Sequence, residues 1–224
     1  MSKDGRRQSS DDEPAAWQLF LYDIATALVG VVLVGGLLLA VSGVWPPLVA
    51  IESPSMEPNI DTGDLVFVME EERFPGEGAH EDTGVVTHRA GSASGYATFN
   101  KPGDVIVFEP GGNSQKTPII HRAMLWVEND ERWYDRANPD FVGGDDNCDE
   151  LPSCPATNAG FITKGDNNGG YDQINGQDPV KPEWVIGTAE ARVPGLGRLR
   201  LGLEGVADGS PVEANGSSGV AGTP

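Results

Sequence analysis

The sequence predicts a mainly β domain, a barrel or sandwich, preceded by one N-terminal transmembrane helix. Three observations carry that prediction. Residues 24–45, IATALVGVVLVGGLLLAVSGVW, hold no charged side chain, and about 20 apolar residues at roughly 1.5 Å rise each span a hydrocarbon core of about 30 Å. Beyond Pro47 the chain runs in short β-branched and aromatic stretches punctuated by Gly, Pro, Asn and Asp, the pattern of strands and tight turns. No long amphipathic helix is visible after the apolar run.

The elements follow in order. Residues 1–20 form a cytoplasmic N-terminal segment and 21–45 the transmembrane helix. Trp17, Tyr22 and Trp45 stand where interfacial aromatics belong, Gly30, Gly35 and Gly36 are tolerated in membrane helices, and Pro46 and Pro47 end the helix. Lys3, Arg6 and Arg7 precede the span while the residues after it are acidic, so the positive-inside bias puts the N-terminus in the cytoplasm and the chain from residue 46 outside. A cleaved signal peptide would have an apolar stretch of only about 7 to 15 residues, shorter than this one. Residues 46–195 form the extracytoplasmic β-rich domain, with candidate strands at 48–52, 64–69, 104–109, 119–127, 132–135, 161–164 and 184–193. Two insertions, near 70–101 and 137–158, are rich in Gly, Ser and charge and are expected to be exposed loops. Residues 196–224 are expected to be a flexible acidic tail.

Charge limits the partners. With 34 Asp and Glu against 15 Lys and Arg the net charge is −19, which disfavours nucleic acid. The acidity is spread along the chain (Asp11, Glu70, Asp145, Glu150), as on a surface built to stay soluble in high salt, so a halophilic source is expected. Cys148 and Cys154 are the only cysteines. They share one loop placed outside the cytoplasm, where a local disulfide can persist, and two cysteines without a neighbouring histidine fall short of the four ligands of a structural zinc. Neither metal nor cofactor is expected.

Four segments carry chemistry: ESPSMEP (52–58), GDVIVFEP (103–110), PIIHRAM (118–124) and FITKGDNNGGYDQ (161–173). Each places a polar or ionisable residue at the end of a candidate strand. Ser55 is a weak nucleophile unless a base takes its proton. His121, beside the apolar pair Ile119 and Ile120, is the best-placed base because imidazole titrates near neutrality. His80 and His88 fall in the first insertion and are expected to be solvated. An imidazole that must become imidazolium gains from a carboxylate, and Asp166 and Asp172 both offer one. Arg122 should point to the opposite face of its strand from His121, since successive side chains alternate, and carries no catalytic role.

In this order the four motifs resemble signal peptidase I of the archaeal and endoplasmic-reticulum type, over the apolar helix and most of residues 48–193. The resemblance implies a signal-peptidase- or LexA-like β domain and a membrane-bound serine endopeptidase that cleaves signal peptides from exported preproteins. It implies Ser55 as nucleophile, His121 as base and Asp172 as its acid, with Asp166 of the KGD motif supporting the site through hydrogen bonds. The oxyanion donors would be the Ser55 backbone N–H and the Ser53 hydroxyl, the latter transferred from bacterial relatives. Pro54 stands where the family more often has glycine, which removes one N–H. Lys164 belongs to the KGD motif and not to the position at which bacterial relatives place a lysine base, so a Ser–Lys mechanism is the lesser option. Implied partners are preprotein signal peptides, membrane lipid and the protein-export channel. A LexA-like self-cleaving regulator would lack the span and use a Ser–Lys pair. An inactive, membrane-tethered accessory subunit of a secretion complex is the alternative from another class, and it would have no need of Ser55, His121 and Asp172 together.

Overall fold

A computed structural model describes residues 16–198; the N-terminal segment up to residue 15 and the acidic tail beyond residue 198 lie outside the described residues. The chain divides into two units, one ending at Val41 and the other beginning at Ser42. Helix α1 spans Ala16–Ser42, and it is long and apolar enough to cross a membrane. It ends three residues before the expected Trp45. The reason is Gly43, whose φ of 79° is a left-handed conformation open chiefly to glycine. A Cβ there would also lie 2.7 Å from the Glu70 carboxylate.

The second unit is built on one antiparallel sheet. Its strands are β1 (Leu48–Ala50), β2 (Leu65–Met69), β5 (Val105–Phe108), β6 (Ile119–Val127), β7 (Gly160–Lys164) and β8 (Val185–Val193), and a separate two-stranded ribbon pairs β3 (Ala97–Thr98) with β4 (Lys101–Pro102). The sheet order is β1-β2-β8-β5-β6-β7. Strands β1 and β7 are therefore its edges, and hydrogen bonds do not close it into a barrel. The mainly β domain is as the sequence predicts. Strand β5 is central and buried on both faces, which is why it reads as the unbroken run VIVF where a half-exposed strand would alternate. Val105 and Val107 join a core with Ile51, Met56, Ile60, Val66, Val68 and Ile120, while Ile106 and Phe108 pack on the other side with Val85, Ala123 and Phe161.

Three expectations change. Residues 132–135 are not a strand: Trp133–Arg136 is a 3-10 turn. A strand would send the adjacent rings of Trp133 and Tyr134 to opposite faces, whereas both pack on one cluster. Neither insertion is merely an exposed loop. The first contributes fully buried Val85 and Val86 and the short helix α2 (His88–Ser94), capped by the Thr87 hydroxyl, which accepts from the Ala90 N–H. The second contributes Val142, Leu151 and Ala156 to a core shared with Met124, Leu125, Trp133, Ile162 and Tyr171. That core is closed by the Cys148–Cys154 disulfide.

Asp104, at the start of β5, ties the first insertion down. Its carboxylate accepts from the Val86 N–H at 2.7 Å and the Tyr96 hydroxyl at 2.8 Å. Burial nevertheless pushes its pKa from the ordinary 3.8 up to about 6, those two bonds opposing and Glu190 adding to the rise. A carboxyl with a raised folded pKa binds its proton more tightly in the folded state. Its contribution to stability is therefore fully present below about pH 3.8 and is lost as pH rises through about 6. Thermal unfolding measured from pH 4 to 7 should show this term, and Asp104→Asn should flatten that part of the curve. An unchanged slope in the variant would exclude Asp104 as its source.

Candidate active site

Ser55 lies in a 3-10 turn, Pro54–Met56, that follows β1. Pro54 suits the first position of such a turn because its missing N–H would have no partner there. Met56 anchors the turn from below, fully buried in the first core. The loop after β7 grips it from the side. The Asn167 N–H donates to the Ser55 carbonyl at 2.8 Å, and the Asn167 side chain donates to the Pro54 carbonyl at 3.1 Å. Gly165 is required by this approach, since a Cβ there would stand 2.7 Å from the Ser55 carbonyl oxygen.

His121 sits on β6, paired with Ile106 of β5, and is 8% exposed. Its Nδ1 lies 2.6 Å from Asp172 Oδ2, and the same oxygen accepts from the Thr163 hydroxyl at 2.7 Å. Against an ionised carboxylate, which only accepts, a neutral imidazole in this pairing carries its proton on Nδ1 and presents the Nε2 lone pair. Asp172 opens the turn Asp172–Asn175. The next residue, fully buried Gln173, accepts from the Thr163 N–H at 3.0 Å and so fixes the turn to β7.

Asp166 is not at the imidazole. It receives a two-pronged contact from Arg122, Nε to Oδ1 and Nη2 to Oδ2, both at 2.9 Å. It also accepts from the Asn59 amide at 2.8 Å and lies 3.7 Å from the Lys101 ammonium. Burial alone would raise its pKa, but the Arg122 bonds and charge, helped by Asn59 and Lys101, hold it below the ordinary carboxylate value. Arg122 is 1% exposed, and its remaining nitrogen donates to the carbonyls of Gly103 at 2.7 Å and Thr98 at 3.1 Å. Neighbours on one strand, His121 and Arg122 thus take separate partners, as strand alternation requires.

Ser53, Ser55, His121 and Asn168 all line one cavity of about 640 Å³. Its walls are otherwise mostly apolar, from Val49, Ile51, Val107, Ile120 and Ile186. The Ser53 and Ser55 hydroxyls are 3.2 Å apart. Lys164 does not line it: the ammonium donates to the Gly165 carbonyl at 3.0 Å and stands 4.5 Å from the Phe141 ring centre, and burial pushes its pKa down. His80 stacks on Trp126 with ring centres 4.2 Å apart, and half-buried His88 has its pKa pushed down by burial and then by the Arg122 charge, so neither is the freely solvated residue expected. Among the described residues no three His, Cys, Asp or Glu side chains are grouped so as to hold a metal ion.

Sequence reasoning brought together Ser55, His121 and Asp172 but missed Thr163, Asn59 and Gln173. Thr163 had a signal, being a lone hydroxyl within the buried strand FITK. Asn59 had none, because its partner is 107 residues away.

No family model matches the chain. In a search of known proteins it is similar to the signal peptidase complex catalytic subunit SEC11 of Saccharomyces cerevisiae. The sequences from strains YJM789 and RM11-1a are each 25% identical over 159 residues, covering 69% of this chain and 64% of the relative. The chain thus spans less than two thirds of the length of the relatives it matches.

Breaking the Arg122–Asp166 contact should be costly, because it leaves a buried guanidinium without its counter-charge. Asp166→Ala is expected to lower stability by about 3–5 kcal/mol in urea unfolding followed by tryptophan fluorescence. Asp149→Ala, which removes an exposed partner of Arg132, should leave the midpoint where it is.

Proposed function

We propose that this chain is a membrane-anchored serine endopeptidase that removes N-terminal signal peptides from exported preproteins. The observation that carries the reading is the His121–Asp172 contact of 2.6 Å beside a cavity that Ser55 and His121 share. The similarity to SEC11 supports the peptidase class, and the apolar helix supports membrane attachment.

In this reading His121 Nε2 takes the Ser55 hydroxyl proton as the oxygen attacks the scissile carbonyl carbon, and Asp172 holds the ring tautomer and stabilises the imidazolium. The intermediate's oxyanion is met by the Ser55 N–H and the Ser53 hydroxyl. Each such donor is worth roughly 3 kcal/mol in the transition state. The imidazolium then gives its proton to the leaving amine, and water, activated by the same nitrogen, hydrolyses the acyl-serine ester. Asp166 acts at one remove: through Arg122 and Asn59 it fixes β6 against the Ser55 turn. The apolar cavity walls suit an extended segment with small apolar side chains, as signal-peptide cleavage regions have. A single span with its N-terminus in the cytoplasm would present the site to the outer membrane surface, beside lipid and the export channel, and the net charge of −19 suits a halophilic archaeal setting.

The test is cleavage of a preprotein by membrane-reconstituted protein in high salt. Ser55→Ala should abolish product, while His121→Ala should lower the rate by about 10²- to 10⁴-fold and Asp172→Asn by a factor within a similar range. Wild-type cleavage by Ser55→Ala would remove the serine mechanism. Cleavage by neither form, with the chain folded and the salt varied, would overturn the peptidase reading.

A further inference from the structure

The second insertion has no place in the chemistry above, yet it packs directly against the residue that precedes Asp172. Tyr171 is 2% exposed and belongs to the core that the insertion builds. Its N–H donates to the Phe141 carbonyl at 3.0 Å, and its hydroxyl accepts from the Asn138 N–H at 3.0 Å. Two rings meet it edge-on, Phe141 at 5.6 Å and Trp133 at 5.9 Å between centres. Gly170, just before it, lets the insertion come this close: a Cβ there would stand 3.0 Å from the Phe141 carbonyl oxygen.

These contacts trace back to the disulfide. Trp133 is fixed by donating its indole N–H to the Ser153 carbonyl at 2.9 Å, one residue before Cys154. Leu151, inside the ring closed by Cys148 and Cys154, is buried in the same core as Tyr171 and Val142. The loop thus reaches Tyr171 by backbone, hydroxyl and ring at once. Among the described residues the Asp172 carboxylate, by contrast, is hydrogen-bonded by two side chains, His121 and Thr163. One planar peptide bond joins Tyr171 to Asp172, so the place where Tyr171 is held sets the backbone position from which the Asp172 side chain reaches His121.

We propose that the disulfide-closed insertion is a positioning element for the proposed catalytic acid: Asn138 and Phe141 clamp Tyr171 and thereby hold Asp172 in register with His121. The inference rests on the triad reading given under the proposed function. It makes Asn138, Phe141 and Tyr171 positioning residues, and it makes activity depend on the oxidation state of Cys148 and Cys154. Since these are the only cysteines in the chain, a dithiol reductant acts at one place.

The test is a double-mutant cycle on the reconstituted full chain, with single-turnover rates measured so that slow variants stay visible. Tyr171→Phe keeps the ring between Phe141 and Trp133 but removes the acceptor of the Asn138 N–H. It should lower the cleavage rate roughly five- to tenfold, about one hydrogen bond, with substrate affinity unchanged, and reduction of the wild-type disulfide, verified by thiol titration, should act in the same direction. In the Asp172→Asn background neither change should lower the rate further. A change that merely reduces the amount of folded protein would lower both backgrounds by the same factor, and that result would overturn the proposal. So would a wild-type rate indifferent to both Tyr171→Phe and reduction. If Asp172→Asn itself cleaved at the wild-type rate, the acid assignment would fall first and this inference with it, an outcome distinct from the other two.

Discussion

The buried guanidinium of Arg122 is the constraint on which the rest of the site depends. Its fork holds Asp166 in the loop after β7, and its other nitrogen holds carbonyls of the β3–β4 ribbon. Asp166 in turn receives Asn59 from the segment that follows the Ser55 turn. Three stretches far apart in sequence, two of them bearing or flanking a candidate site residue, are therefore fixed to one charge. An uncompensated guanidinium at this depth would be severely unfavourable. Burial of the arginine therefore goes with placement of the KGD loop, which brings its counter-charge, and of the ribbon, whose carbonyls take its remaining N–H groups.

Two carboxylates in one short motif are given different work by their surroundings. Asp166 faces a permanent cation and is held ionised below its ordinary range, so it cannot exchange protons near neutrality. Asp172 is hydrogen-bonded by an imidazole and a threonine hydroxyl, and the Lys164 charge acts on it only from a distance. An imidazole can gain and lose charge during a reaction, whereas a guanidinium cannot. Under the proposed function, the carboxylate paired with the switchable group serves the proton transfer at the imidazole, and the one paired with the fixed charge serves the architecture.

How much of this was legible in the sequence varies with the range of the interaction. The apolar helix, the β character and the strands at 119–127 and 184–193 follow from local composition and period, which one stretch of chain carries by itself. The end of α1 was misjudged because a glycine at positive φ stops the helix before the prolines do. The strand expected at 132–135 failed because adjacent aromatics can pack together on one side of a 3-10 turn. Arg122 was given its correct face but not its burial, since nothing near it in sequence announces an aspartate 44 residues on. Thr163 and Gln173 support Asp172 through contacts that exist only once β7 lies beside the turn that follows it.

The insertions show the same limit from the other side. Gly, Ser and charge mark them as loops, and much of their surface is polar, but a few apolar residues in each settle their role. Val85 completes one core, with the adjacent Val86 fully buried, and Val142, Leu151 and Ala156 complete another. A six-stranded open sheet leaves apolar faces that need covering, and these segments cover part of them. Covering a face next to Asp104 and Tyr171 also fixes what those residues hold. The segments expected to be exposed loops thus help build the cores, and a polar composition conceals this because burial is decided by the few side chains that turn inward.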